Sequence, residues 1–194
     1  MAAIEHAAEI TGLRGRWERL CEAPEVVCDI AHNPPALEIN FGRLREIQRG
    51  GSRNCNAQGA GSPEQPNNAP RPLIIVYGIM ADKDLAGIAP LMPEGARYIL
   101  AAPAIPRALP AAELQARLAE FRPDLVTETA PSVAAAVERA LELATLEGDP
   151  EPKSSSALPA DGQPAADIPE SFIYIGGSTF VVTEAIEYFN SVKK

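Results

Sequence analysis

Short, almost continuous apolar runs alternate along this chain with longer stretches whose apolar residues recur at helical spacing. Residues 26–30, 73–77, 97–101, 125–127 and 172–175 read as strands, being rich in Val, Ile, Leu and Tyr. Such unbroken runs suit strands covered on both faces. Helices are predicted over 34–49, 84–91, 110–120, 132–146 and 179–189. Pro34 and Pro110 suit the first helical turn, Asn33 and Ser132 suit N-caps, and Thr179 precedes Glu184 near the last start. Strands alternating with helices predict an α/β domain on a doubly wound, mostly parallel sheet, because parallel neighbours joined by helices need right-handed crossovers.

Two segments break the alternation. Residues 50–71 are rich in Gly, Asn and Pro, and residues 147–169 in Pro, Ala, Ser and Asp. Neither has enough apolar surface to offset the entropy of ordering. They read as flexible insertions in one domain, since the strands on either side belong to one sheet. The length of 194 residues fits a single domain with such insertions.

A formal charge of −9, with only four lysines and no basic run, argues against nucleic acid and anionic membrane surfaces as partners. Cys21, Cys28 and Cys55 are unpatterned, and His6 and His32 are the only histidines, so neither a zinc site nor a disulfide framework follows. No signal-peptide pattern occurs at the N-terminus and no apolar run approaches a membrane span, which makes the cytoplasm the default.

The candidate chemistry gathers where predicted strands end. Asp29 lies at the end of the first strand, and His32 and Asn33 stand between it and Pro34. Ligands of open α/β sheets bind where strand carboxyl ends meet helix N-termini. Asp29 has the acceptor capacity to take both hydroxyls of a ribose, and the planar fork of Arg16 suits nucleotide or phosphate oxygens. Lys83 follows the second strand, beside Asp82 and Asp84. Ser178 follows Gly176 and Gly177 at the start of the last helix, where amides and a hydroxyl make a carboxylate seat. Plainer readings stand beside these. Asp29 and Asn33 shape a turn, Arg16 is a solvated arginine, Lys83 pairs with Asp82 or Asp84, and Ser178 is an N-cap. Polar residues at strand ends contribute little to a core, so folding should tolerate their loss. Cys28, Trp17 and Phe41 read as packing residues.

Taken in order, Gly15-Arg16-Trp17-Glu18, Asp29-Ile30-Ala31-His32-Asn33-Pro34, Gly78-Ile79-Met80-Ala81-Asp82-Lys83-Asp84, Pro106-Arg107-Ala108-Leu109 and Ile175-Gly176-Gly177-Ser178 resemble the C-terminal domain of folylpolyglutamate synthase/dihydrofolate synthase. That family belongs to the Mur ligase superfamily of ATP-dependent acid–amino-acid ligases. The resemblance implies a Rossmann-like fold of the Mur ligase C-terminal type. It also implies ATP contacts at Arg16 and Asp29, L-glutamate contacts at His32, Lys83 and Ser178, and sites of unassigned role at Asn33, Asp82 and Arg107. ATP and Mg would be held mainly by a preceding P-loop ATPase domain. No G-x-x-x-x-G-K-[ST] sequence occurs in these residues, so the chain is expected to lack that domain, to hold no metal of its own and to be inactive alone. Folate or dihydropteroate would be the acceptor, activated as an acyl phosphate. Ile30 stands where the family frequently has glycine. Two other functions stay open: a ligase domain for peptidoglycan precursors, and a non-catalytic ligand-binding module derived from the same fold.

Overall fold

Residues 14–50, 70–148 and 171–192 are described in the computed structural model, and six strands among them form one sheet. The chain runs through β1 (Glu18–Cys21), β2 (Glu25–Cys28), α1 (Pro34–Gln48), β3 (Leu73–Tyr77), α2 (Leu85–Ile88), a 3-10 turn at Ala89–Leu91, β4 (Arg97–Leu100) and α3 (Ala111–Phe121). It continues through β5 (Val126–Thr129), α4 (Val133–Gly148), β6 (Phe172–Gly176) and α5 (Thr179–Val192). The sheet order is β1-β2-β6-β3-β4-β5. All neighbours are parallel except β1 and β2, which pair antiparallel. The α/β, mostly parallel architecture is the one the apolar pattern predicts.

Alternation along the strands divides the core into two layers. Leu73, Ile75 and Tyr77 of β3 join Phe172 and Tyr174 of β6 beneath α1, α2 and α3, with Leu37, Phe41, Leu114 and Leu118 packing from the helices. Ile74 and Val76, with Ile173 and Ile175, face the other way onto Val137, Ala140, Val181 and Ala185 of α4 and α5. Burial on both faces explains why β3 and β6 are apolar at every position.

The winding also creates a crevice. Chains leaving β2, β3 and β4 pass to helices on one face, and those leaving β5 and β6 pass to the other. Because β6 lies between β2 and β3, its outgoing loop diverges from both neighbours. This is a topological switch point at the carboxyl edge of the sheet, where open α/β sheets bind ligands.

Three differences from the sequence expectation have local causes. The short edge strand β1, with only Leu20 buried, carries too little apolar pattern to be read as a strand. The helix expected over 84–91 stops at Ile88 and continues as the 3-10 turn, since Gly87 weakens it and Pro90 supplies no N–H. The first insertion is anchored at its far end: Arg71, expected within it, is buried, pairs with Glu25 at 2.9 Å and lies over the Phe172 ring. Most of both expected insertions, 51–69 and 149–169, lies outside the described residues.

Candidate functional site

Two clefts open at the switch-point edge, and His32 lines both. The first, of about 220 Å³, is lined by His32, Met80, Asp82, Lys83, Arg107, Ser178, Thr179 and Phe180. The second, of about 350 Å³, is lined by Arg16, Asp29, Ile30, Ala31, His32, Asn33, Ala36, Ile39 and Asn40. His32, Lys83, Arg107 and Ser178, separated by up to 146 residues, thus share one cleft, and Arg16 and Asp29 share the next.

Asp29 organises the wall of the second cleft. Its own N–H donates to the Ile175 carbonyl at 3.0 Å, prolonging the β2–β6 ladder past Cys28. One carboxylate oxygen accepts from Ala31 N–H and the other from Trp17 N–H, both at 2.8 Å. Each oxygen keeps further acceptor capacity. Trp17 sits at φ 48°, a left-handed conformation that costs an L-residue about 1 kcal/mol or more. Gly15 turns the chain just before it at φ 76°, where an added Cβ would lie 2.8 Å from side-chain atoms of Ile30 and Val182. Ile30 donates its N–H to the Gly15 carbonyl at 2.8 Å, so the bulkier residue at that position is packed against the loop that carries Arg16. Folding is therefore not indifferent to Asp29, contrary to the expectation for strand-end polar residues: its carboxylate ties two loops together.

Arg16 is exposed at the mouth of this cleft. Beneath it Trp17 lies 6.0 Å from the Tyr174 ring, with the Arg43 guanidinium 5.0 Å from the Trp17 centroid. Asn40 donates to the buried Tyr174 hydroxyl at 3.3 Å. Burial raises that hydroxyl well above its ordinary pKa, and the nearby Asp29 charge adds to the effect. Asn33 caps α1, accepting the Ala36 N–H at 3.0 Å, as its position before Pro34 implies.

In the first cleft, glycines allow three strand ends to approach. Gly78 N–H donates to the Gly176 carbonyl at 3.3 Å, and an added Cβ at Gly78 would lie 2.0 Å from the Ala101 carbonyl oxygen. Gly177, at φ 95°, leaves no more room: a Cβ there would meet the Gly78 oxygen at 2.6 Å. Ser178 follows, buried, its Oγ accepting from Phe180 N–H at 3.2 Å and Val181 N–H at 3.3 Å. It is an N-cap of α5, and its O–H remains available as a donor. The two readings of this serine are compatible.

His32 Nδ1 lies 3.0 Å from the Ile30 carbonyl. With Nδ1–H donating, Nε2 is left to accept a hydrogen bond. Lys83 is half-buried and forms no ion pair with Asp82 or Asp84 among the described residues. Asp84 instead caps α2 through Gly87 N–H at 3.2 Å. Arg107 belongs to a loop clamped to the Lys83 loop. Ala81 N–H donates to the Arg107 carbonyl and Leu109 N–H to the Ile79 carbonyl, both at 3.0 Å, around an antiparallel bridge between Met80 and Ala108. The sequence carried no signal for Phe180, Ile39 or Asn40 as lining residues, because each occupies a helical position whose exposure only the packing decides.

Fold and clefts together define a class: a Rossmann-like α/β domain whose paired clefts sit at the carboxyl edge of a mostly parallel sheet. Within that class the chain resembles folylpolyglutamate synthase/dihydrofolate synthase, as its ordered motifs imply. It is 31% identical over 75 residues to the dihydrofolate synthase/folylpolyglutamate synthase of Escherichia coli (strain K12), a match covering 39% of this chain and 13% of that enzyme. The Mycobacterium tuberculosis folylpolyglutamate synthase complexed with ADP superposes with a TM-score of 0.61 at 24% identity, covering 90% of this chain and 32% of that one. The Yersinia pestis bifunctional enzyme with Mn, AMPPNP and L-glutamate bound gives 0.56 at 20% identity, covering 92% and 32%. The chain thus matches only a part, about a third or less, of the length of each of these enzymes. No family model matches it.

Proposed function

We propose that this chain is the C-terminal, glutamate-positioning and ATP-lid domain of an ATP-dependent ligase that adds L-glutamate to dihydropteroate or folate. Its partner is a P-loop ATPase domain of the same enzyme, which holds most of the ATP and the Mg. The observation that carries the reading is His32 lining both clefts, so that nucleotide and amino-acid sites adjoin at one side chain. The nucleotide-bearing relative and the glutamate-bound relative support it.

In this reading Asp29 accepts from the ribose hydroxyls with the lone pairs left over from its backbone bonds, and Arg16 reaches phosphate oxygens. Lys83, Ser178 and His32 fix the carboxylates and the neutral amine of glutamate. The amine attacks the activated carboxyl carbon of the acceptor, an amide bond forms, and phosphate leaves. The chain contributes orientation, which in favourable cases lowers a barrier by ~7–11 kcal/mol. Closure over the ATPase domain keeps water from the acyl phosphate. Exposed Ile39 and Phe180, one beside each cleft, are apolar contacts for that closure.

Turnover assays test the reading. The chain alone should form no dihydrofolate from ATP, L-glutamate and dihydropteroate. With a relative's P-loop domain supplied, Arg16→Ala should raise mainly the KM for ATP, and Lys83→Ala mainly that for glutamate, by the ~1.5–3 kcal/mol of a charged hydrogen bond. Turnover by the chain alone would refute the fragment reading, and equal losses for both substrates in each variant would refute the division between clefts.

A further inference from the structure

The geometry points to Arg107 as the residue that selects an amino acid bearing a side-chain carboxylate. The inference rests on reading the first cleft as the amino-acid seat, and adds to it the basis of substrate choice. Sheet order sets the placement. Loops leaving β2, β6, β3 and β4 present His32, Ser178, Lys83 and Arg107 in that sequence along one edge. His32 borders the second cleft, so the reacting amine lies at the His32 end and the substrate's side chain extends toward Lys83 and Arg107, away from the nucleotide.

Arg107 suits the far end of such a substrate. Its guanidinium forms no ion pair among the described residues, whereas Arg14, Arg71, Arg122 and Arg139 are each paired with a carboxylate. Its loop is held at the Arg107 and Ile79 carbonyls by the two 3.0 Å backbone bonds and by the buried Leu109, so the side chain projects from a fixed support. The planar fork can take both oxygens of a carboxylate, which a lysine ammonium cannot do. Asp82, the single carboxylate in the lining, and Arg107 are both exposed, so solvent screens their charges alike and the preference rests on the fork's two-point geometry. In a chain of net charge −9, a cleft holding Lys83 and Arg107 beside the positive end of α5 is a local departure in favour of a dianionic ligand.

The test compares L-glutamate with L-glutamine, which differ only at the group assigned to Arg107. The full 194-residue chain, labelled with 15N, is titrated with each by NMR. L-Glutamate should shift the amides of Lys83, Ser178 and Phe180 and bind more tightly than L-glutamine, on the order of tenfold. Arg107→Ala should still bind but lose that preference, and Arg107→Gln, which keeps a hydrogen-bonding polar head without the charge, should lose it too. Arg107→Lys should retain part of it. A preference unchanged in Arg107→Ala and Arg107→Gln would overturn the assignment while leaving the seat intact. No response of the wild-type cleft to L-glutamate would overturn the seat and this inference with it.

Discussion

Removing the Asp29 carboxylate should destabilise the chain as well as the site. In Asp29→Ala the N–H groups of Trp17 and Ala31 lose acceptors that now stand at 2.8 Å. A hydrogen bond to a charged group contributes ~1.5–3 kcal/mol. Because both bonds are part-buried, the lower end applies to each, giving about 3 kcal/mol for the pair. The left-handed backbone of Trp17, at φ 48°, can relax once its N–H is released, which offsets part of that loss. Asp29→Asn keeps one oxygen acceptor and should fall between wild type and alanine. Trp17 is the only tryptophan, so its fluorescence in a urea titration reports both the global midpoint and the state of its own loop. Hydrogen exchange at Trp17 and Ala31 separates local opening from global unfolding. A loss below ~0.5 kcal/mol with both amides still protected would show that the carboxylate does not hold these loops.

Gly78→Ala should cost about 3 kcal/mol or more, because its Cβ would overlap the backbone oxygen of Ala101 at 2.0 Å rather than a flexible side chain; a melting temperature within a degree or so of wild type would contradict this. Burial pushes the Cys28 thiol up to about 12, so iodoacetamide at about pH 8 should modify it only on unfolding, and modification at the rate of a free thiol would refute its burial. Burial likewise raises Tyr77, Tyr98 and Tyr174. The folded state therefore keeps four protons that the unfolded chain loses above ordinary pKa values of 9.0 for cysteine and 10.0 for tyrosine. Stability should be constant in this respect below those values and fall as pH rises through them, by up to ~1.4 kcal/mol per pH unit for each group; urea midpoints unchanged up to about pH 11 would contradict it.

How far the sequence could be read follows from where its information lies. β3 and β6 are buried on both faces, so their apolar runs announced them and their ends nearly to the residue. β1 and β5 are edge strands with polar or exposed positions such as Arg19 and Val126, and there the pattern thins: it carries no strand signal over β1 and centres β5 toward Leu125. The helix caps at Asn33 and Ser132 were legible because capping is local chemistry. The clefts were legible only through motif order. Nothing in a one-dimensional pattern places Arg107 in one cleft with His32; the parallel sheet order and the clamp between the Lys83 and Arg107 loops do that. The double duty of Asp29 was hidden for the same reason, since its partner Trp17 lies across two strands and a turn.

The division of the carboxyl edge into a nucleotide cleft and a glutamate cleft is tested most directly by two titrations of the 15N-labelled chain, one with a non-hydrolysable ATP analogue and one with L-glutamate. The nucleotide should shift the amides of Arg16, Asp29, Ala31 and Asn40, and L-glutamate those of Lys83, Arg107, Ser178 and Phe180. His32 should respond to both, as the residue shared by the two clefts. Two ligands shifting one common set of amides, or neither ligand shifting any residue of this edge, would contradict the division.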